Sequence, residues 1–404
     1  MDGSLVKWIV ALAALLEIMI HLAEWRFLQG LPESIPPETG RFLSNPFVWR
    51  RSVGMARGKT AIRLGITASL YALVLYVLFT PLLEKTGAWA LAVMGSHAGA
   101  GVLMGALSAL VAWCVVLPWS WARVFLVERD RPSTLDDVRR FWYDQSLYLL
   151  LAMTLSAGAL GGAVFLSEGA GGFLGIYVAL VFAEFLLVWL FPVFLLPVFF
   201  RVKDFPEGTL KEKLLEIFRS AGLGPLKLQV VDTSQKPMPP NAMLSGLGRA
   251  RRFLLVDSLL KSKSEEEVAA ILAHEVGHWK NGHQTQRFFV AVFVQAVLVA
   301  VIWVLSGIGP RHVALLKGVF AAHALLVLVF QPFIIRKMQT QELEADAFAA
   351  GFAGAGAMKS ALMGLASPNR GWAPSHFLYT FWYEAHPPVV KRLEALEKIG
   401  LSGK

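Results

Sequence analysis

Seven stretches of this chain are apolar over the length of a bilayer-crossing helix, and no other feature limits the fold as much. A hydrocarbon core of about 30 Å takes roughly 20 helical residues to cross. Runs of that size occupy residues 5–23, 61–83, 97–118, 146–166, 172–200, 286–306 and 313–333. The first and fourth are the weakest, each interrupted by polar residues or glycines, and Pro192 and Pro197 predict a kink in the fifth. Composition agrees with this reading: 55% of the residues are hydrophobic and 17% charged, against about 25% charge in soluble domains. The run from Leu5 to Leu22 has only Lys7 as a basic start, carries Glu17 and His21, and lacks a small-residue cleavage site. It therefore reads as a retained span, not a signal peptide.

The formal charge of +9 brings nucleic acid to mind, but the basic residues are scattered between apolar runs and build no patch with a recognisable nucleic-acid motif. Nucleic-acid binding is excluded on that ground, and a lipid bilayer takes its place as partner. Arg26, Arg41, Arg50, Arg51, Arg57 and Lys59 lie between the first two runs, and Arg123, Arg129, Arg131, Arg139 and Arg140 between the third and fourth. The alternate loops carry only Lys85 and Arg311. Basic loops stay on the cytoplasmic side, so the expected arrangement puts the N-terminus outside and segment 201–285 and the C-terminal tail in the cytoplasm. The lone cysteine, Cys114, gives neither a disulfide framework nor a thiolate metal site. It reads as a small buried hydrophobe.

Four segments follow: 1–200 with membrane helices one to five, 201–285 outside the membrane, 286–333 with helices six and seven, and 334–404 outside again. Within 201–285 an amphipathic helix is expected over 207–222, with strands at 226–232 and 251–257. Segment 336–404 reads as helical at both ends with a Gly/Pro-rich middle. Neither segment makes a domain alone, so the two are expected to fold together as a small α+β cap on an all-α membrane protein.

The chemistry lies in SKSEEEVAAILAHEVGHWKNGH, residues 262–283. Ser264 and Glu267 form a capping box, and three glutamates suit the positive end of a helix. Four-residue spacing puts His274 and His278 on one face, where two imidazoles can bind one Zn²⁺. Glu275 projects beside the metal, placed to take a proton from the attacking water. A third protein ligand must come from elsewhere. His283 fails the metzincin spacing, because the positions that need glycine and histidine hold Asn281 and Gln284. The better source is QTQELEADAFAAGF, residues 339–352, where Glu342 and Asp346 share a face and Glu344 points away. Glu342 is favoured as ligand over Glu344, with Asp346 hydrogen-bonding a ligand imidazole from behind.

With HEVGHWKNGH before the sixth run, ELEADAFA after the seventh and HPPVVKRLEAL near the end, the chain resembles the type I CAAX prenyl endopeptidases over nearly its whole length. The resemblance implies a seven-helix ring around a water-filled chamber, capped on the cytoplasmic side by a zinc metalloendopeptidase domain. It implies His274, His278 and Glu342 as zinc ligands, Glu275 as general base, and Asp346 behind the ligands. His386 matches a histidine that steadies the oxyanion, Arg392 an arginine near substrate, and Asn241 an asparagine that contacts peptide. Strand 251–256 matches an edge strand along which substrate can lie extended. The chamber accounts for Glu17, His21, Glu184 and His323 inside the apolar runs. One departure is Gln339, where relatives carry a basic residue. The implied substrates are peptides or proteins, prenylated CAAX-type or otherwise membrane-associated, in an ER or bacterial inner membrane. The alternatives are a bacterial quality-control protease of the same chemistry and, in another class, a transporter with a structural zinc site. Oligomeric state is not legible.

Overall fold

The computed structural model describes residues 4–128, 132–169, 172–190, 200–224, 226–234, 241–245, 251–306, 310–366 and 371–402. Six helical stretches among them are long and apolar enough to cross a membrane: Ser4–Gln29, Pro46–Phe79, His97–Val127, Leu135–Glu168, His283–Leu305 and Arg311–Ala353. The fifth expected run contains a further apolar helix, Gly172–Leu190. Its continuation to residue 200, with the kink expected at Pro192 and Pro197, lies outside the described residues.

The helices are labelled α1 (Ser4–Gln29), α2 (Pro46–Phe79), α3 (Leu82–Met94), α4 (His97–Ala122), α5 (Leu135–Glu168) and α6 (Gly172–Leu190). Several long helices outrun their apolar stretches, α2 by starting at Pro46 although it ends at Phe79, short of the expected 83, since backbone hydrogen bonding continues into water-facing turns once a helix is nucleated. Asn45 caps α2 by accepting from Phe47 N at 3.0 Å, and Thr134 caps α5 in a capping box. α4 and α5 pack closely enough that a Cβ on Gly105 would lie 2.3 Å from Ser156 O and 2.9 Å from Ala157 Cα. Small residues at such crossings let two backbones meet without a hydrophobic drive from water. Cys114 is exposed on the surface of α4 and not buried as expected. A helix surface that faces lipid can carry an apolar thiol there at no cost in hydration.

Polar groups within the spans turn toward one another. The Tyr71 hydroxyl donates to Glu17 Oε1 at 2.8 Å, with His323 Nε2 3.6 Å from the same oxygen. Gln295 donates to Glu184 Oε2 at 2.7 Å. Pairing of this kind is what an apolar surround demands of ionisable side chains.

Outside the bundle, the cap contains α7 (Thr209–Ser220), α8 (Asp257–Ser262), α9 (Glu265–Lys280) and a sheet. Strands β1 (Arg201–Asp204), β2 (Lys227–Asp232), β3 (Ala242–Ser245) and β4 (Arg252–Val256) run in the order β1-β2-β4-β3. β4 pairs in parallel with β2 and antiparallel with β3. Strand 251–256 is therefore interior and not the expected edge, and its run Phe253–Val256 is buried throughout. Among the described residues the edge beside the site is β3, a four-residue strand within turn-rich sequence.

α10 (His283–Ser306) follows α9 directly. α11 (Arg311–Leu325) then passes through a π-helical turn, Leu326–Phe330, into α12 (Gln331–Ala353). The turn absorbs Pro332, which lacks an N–H for the ladder. α13 (Ala355–Leu365), α14 (Phe377–Tyr383) and α15 (Val389–Ser402) complete the cap. Its core joins Leu214, Phe218, Phe253, Leu272, Met358 and Leu393 with Phe42 and Leu43, just ahead of α2, and with Trp49 and Val53 from the first turns of α2. Each fully buried side chain of this size contributes roughly 1.5–3 kcal/mol.

The α4–α5 contact is testable. Gly105→Val should cost about 1–3 kcal/mol by overpacking, read as a lower thermal midpoint in detergent. Gly158→Ala, whose Cβ would meet nothing within 4 Å, should leave the midpoint in place. Equal midpoints for both variants would contradict the close crossing.

Candidate metalloprotease active site

α9 begins as its sequence predicts: Glu267 N donates to Ser264 Oγ at 3.2 Å and Ser264 N to Glu267 Oε2 at 3.0 Å. The helix then carries His274, Glu275 and His278 along one side. Gly277 sits against α12, where a Cβ would lie 3.1 Å from both Ala345 Cα and Phe348 Cβ. That close approach brings Glu342 over the two imidazoles.

His274 Nε2 and His278 Nε2 are 3.2 Å apart. Glu342 Oε2 lies 3.5 Å from His274 Nε2, and Glu342 Oε1 lies 3.3 Å from His278 Nε2. Donors around a tetrahedral zinc with bonds of about 2.0–2.1 Å stand about 3.3 Å from each other, so the three groups fit zinc. Glu342 is buried with one carboxylate oxygen toward each imidazole, the chemistry of a donor set that takes one cation between them. His274, His278 and Glu342 are the one metal-competent cluster of three among the described residues.

Each imidazole is held from behind. His274 Nδ1 is 2.9 Å from Asp346 Oδ1, and Asp346 takes a two-pronged bond from Arg392, Nε to Oδ2 at 2.7 Å and Nη2 to Oδ1 at 2.6 Å. His278 Nδ1 is 2.8 Å from His283 Nδ1, and His283 Nε2 is 2.8 Å from Glu344 Oε2. His283 thus stands outside the metal cluster, as its spacing requires, and orients a ligand through its other contact. Neither His283 nor Glu344 was legible in that role from ligand spacing. The signal the sequence offers is a third histidine five residues after His278, just before the next apolar run.

Burial alone would depress His274, but the Asp346 and Glu342 carboxylates outweigh it and carry the imidazole up to about 9. Burial pushes Glu275 above the ordinary carboxyl range and His278 below the ordinary imidazole range. A carboxyl raised by burial is a stronger proton acceptor when ionised.

A cavity of about 150 Å³ opens onto these groups, lined among others by Asn241, His274, Glu275, Glu342, His386 and Arg392. His386 Nδ1 lies 2.8 Å from Glu342 Oε2, and the side chain is 69% exposed toward the cavity. Asn241 Oδ1 accepts from Ala242 N at 3.0 Å at the head of β3. Arg392 faces the cavity, yet its guanidinium is engaged with Asp346 and has Nη1 3.7 Å from Glu342 Oε2. All eight residues singled out in the sequence therefore meet at one site. Arg287, absent from that set, adds a cation 3.7 Å from Glu342 Oε1 and donates to Gln341 Oε1 at 2.7 Å.

Removing Asp346 tests the support behind the ligands. Asp346→Ala should weaken zinc binding about 10–100-fold, read by chelator competition. It should also cost about 3–5 kcal/mol, because the buried Arg392 loses its two-pronged partner and keeps only the more distant Glu342. Unchanged zinc affinity would contradict the orienting contact.

The chain is similar to known proteins over most of its length. Residues 205–400 match the model of Peptidase family M48, and residues 50–201 match that of the CAAX prenyl protease N-terminal region, five membrane helices. A CAAX prenyl protease 1 homolog from Oryza sativa subsp. japonica is 26% identical over 407 residues, spanning 94% of each chain. The Homo sapiens CAAX prenyl protease 1 homolog is 26% identical over 353 residues, 72% of each. The crystal structure of S. mikatae Ste24p superposes with a TM-score of 0.81 at 21% identity, covering 97% of this chain and 98% of that one. Two matches that follow one another between residues 50 and 400 leave one conclusion: the chain belongs to the CAAX prenyl protease group of peptidase family M48, integral-membrane metalloendopeptidases.

Proposed function

We propose that this protein hydrolyses peptide bonds of prenylated CAAX-type or other membrane-associated chains, with a single zinc ion held by His274, His278 and Glu342. One observation carries the reading: three donors at 3.2–3.5 Å spacing adjoin a cavity shared with the Glu275 carboxylate. The bound zinc supplies a Lewis acid that polarises the scissile carbonyl and makes water easier to deprotonate. Glu275 takes the proton from the attacking water and returns it to the leaving amine. His386 donates a hydrogen bond to the oxygen that gains charge as the carbonyl carbon becomes tetrahedral. Asn241 and the edge of β3 align the substrate backbone, and Arg392, while holding Asp346, closes the cavity wall.

The membrane segments, 1–200 and 286–333, serve as the platform for a catalytic cap built from 201–285 and 334–404. The excess of Arg and Lys in the loops between the first and second and the third and fourth spans supports a cap facing the cytoplasm. Prenylated substrates are supported by the relatives, which carry the name CAAX prenyl protease.

A Glu275→Gln variant in membranes should keep one zinc per chain and lose about 10²–10⁴-fold in cleavage of a farnesylated CAAX reporter peptide. Unprenylated peptide should be cut more slowly by the wild-type protein. Undiminished cleavage by the variant would refute the mechanism. Equal rates on both peptides would refute the substrate class while leaving the chemistry intact.

A further inference from the structure

Gln339 sits one helical turn before Glu342 on α12 and is buried. Its amide nitrogen donates to Thr380 O at 2.9 Å and to Glu384 O at 2.8 Å. Both acceptors lie at the C-terminal end of α14, where a helix leaves its last carbonyls without partners in the ladder. One NH₂ group carries two hydrogens, so this single side chain satisfies both.

The same short helix is tied down along its length. Gln331 Nε2 donates to Trp382 O at 2.9 Å, and Trp382 Nε1 donates to Val327 O at 3.0 Å. At its start His376 N donates to Glu24 Oε2 at 2.7 Å, a bond to the first membrane helix. The Glu384 carboxylate turns back to accept from Ser375 Oγ at 2.5 Å and Thr380 Oγ1 at 2.9 Å. Two residues beyond Glu384 stands His386, with most of its side chain exposed to the cavity and Nδ1 2.8 Å from Glu342 Oε2. Little packs around that imidazole, so its position is set by the backbone that leads to it. Gln339 fixes that backbone to the helix that carries the metal ligand.

We propose that Gln339 is a positioning residue for the hydrolytic reaction: by bonding Thr380 O and Glu384 O it holds the 380–386 turn at the distance from Glu342 at which His386 can meet the developing oxyanion. The inference rests on the role assigned to His386 above. It places the control of that histidine on an uncharged amide that touches neither metal nor substrate. A misplacement of about 1 Å at a catalytic group can cost on the order of a hundredfold in rate.

The test uses the full-length protein in detergent or vesicles with the farnesylated reporter peptide. Gln339→Met keeps the size and removes both donors, and Gln339→Glu keeps the size and turns a donor into an acceptor. Both should lower kcat roughly ten- to a hundredfold, with KM within about twofold and zinc content at wild-type level. In a His386→Ala background, Gln339→Met should bring no further loss, because the group it positions is gone. A loss that multiplies with that of His386→Ala, a change confined to KM, or zinc loss in both variants would overturn the positioning role. Unchanged kcat in Gln339→Met beside a slow His386→Ala would overturn it while sparing the role of His386. Unchanged kcat in His386→Ala itself would instead remove the reading on which it rests.

Discussion

The crossing of α9 and α12 at Gly277 is the contact on which the rest of the site depends. His274 and His278 come from a helix that ends where one membrane span begins, and Glu342 comes from a helix that continues another. The two helices approach closely at Gly277, where a Cβ would crowd Ala345 and Phe348 at 3.1 Å. The ligand helix is also continuous, through its π-helical turn, with the last membrane span. Metal geometry is thereby referred to the bundle and not to a loop, and rigid elements hold such constellations better than loops do.

Around that crossing the charges are arranged in two relays. Arg392 fixes Asp346, which fixes His274, while Glu344 faces His283, which faces His278. Each relay decides which ring nitrogen is left for the metal, and a ligand imidazole needs that choice made for it. Asp346 and Arg392 meet charge to charge behind His274, and Glu342 is left to face both ligand imidazoles. α14 adds a third input, carrying the turn before His386 between the first membrane helix and the ligand helix.

What could be read from the sequence was what is local. The capping box, the four-residue spacing of His274 and His278, and the shared face of Glu342 and Asp346 are helix periodicities, and the structure keeps all of them. The apolar runs located the long helices but not their ends, because a helix extends into water wherever its backbone bonds remain favourable. Features set by long-range packing were not legible. β3 is too short and too turn-rich to show alternation, and the edge position of β4 rested on the resemblance alone, which the pairing order overturns. Trp49 precedes the second apolar run, in the first turn of α2, and its place in the cap core has no local signature. His283 was tested as a ligand, for which its spacing is wrong. Its actual contacts, with His278 and Glu344, depend on how α10 leaves α9. Gln339 stood out in the sequence only as a departure from relatives, and its two acceptors are distant in the chain.

The central claim is that one zinc ion is held by two imidazoles and a carboxylate from two crossing helices. X-ray absorption at the zinc edge on purified protein tests it most directly. The account predicts a four-coordinate spectrum with two imidazole nitrogens at about 2.0–2.1 Å and oxygen neighbours at about 2.0–2.2 Å. Sulfur should be absent, since the chain has one cysteine and it lies on a membrane helix. A six-coordinate oxygen shell, or a spectrum that survives unchanged when His274 and His278 are both replaced by alanine, would contradict it.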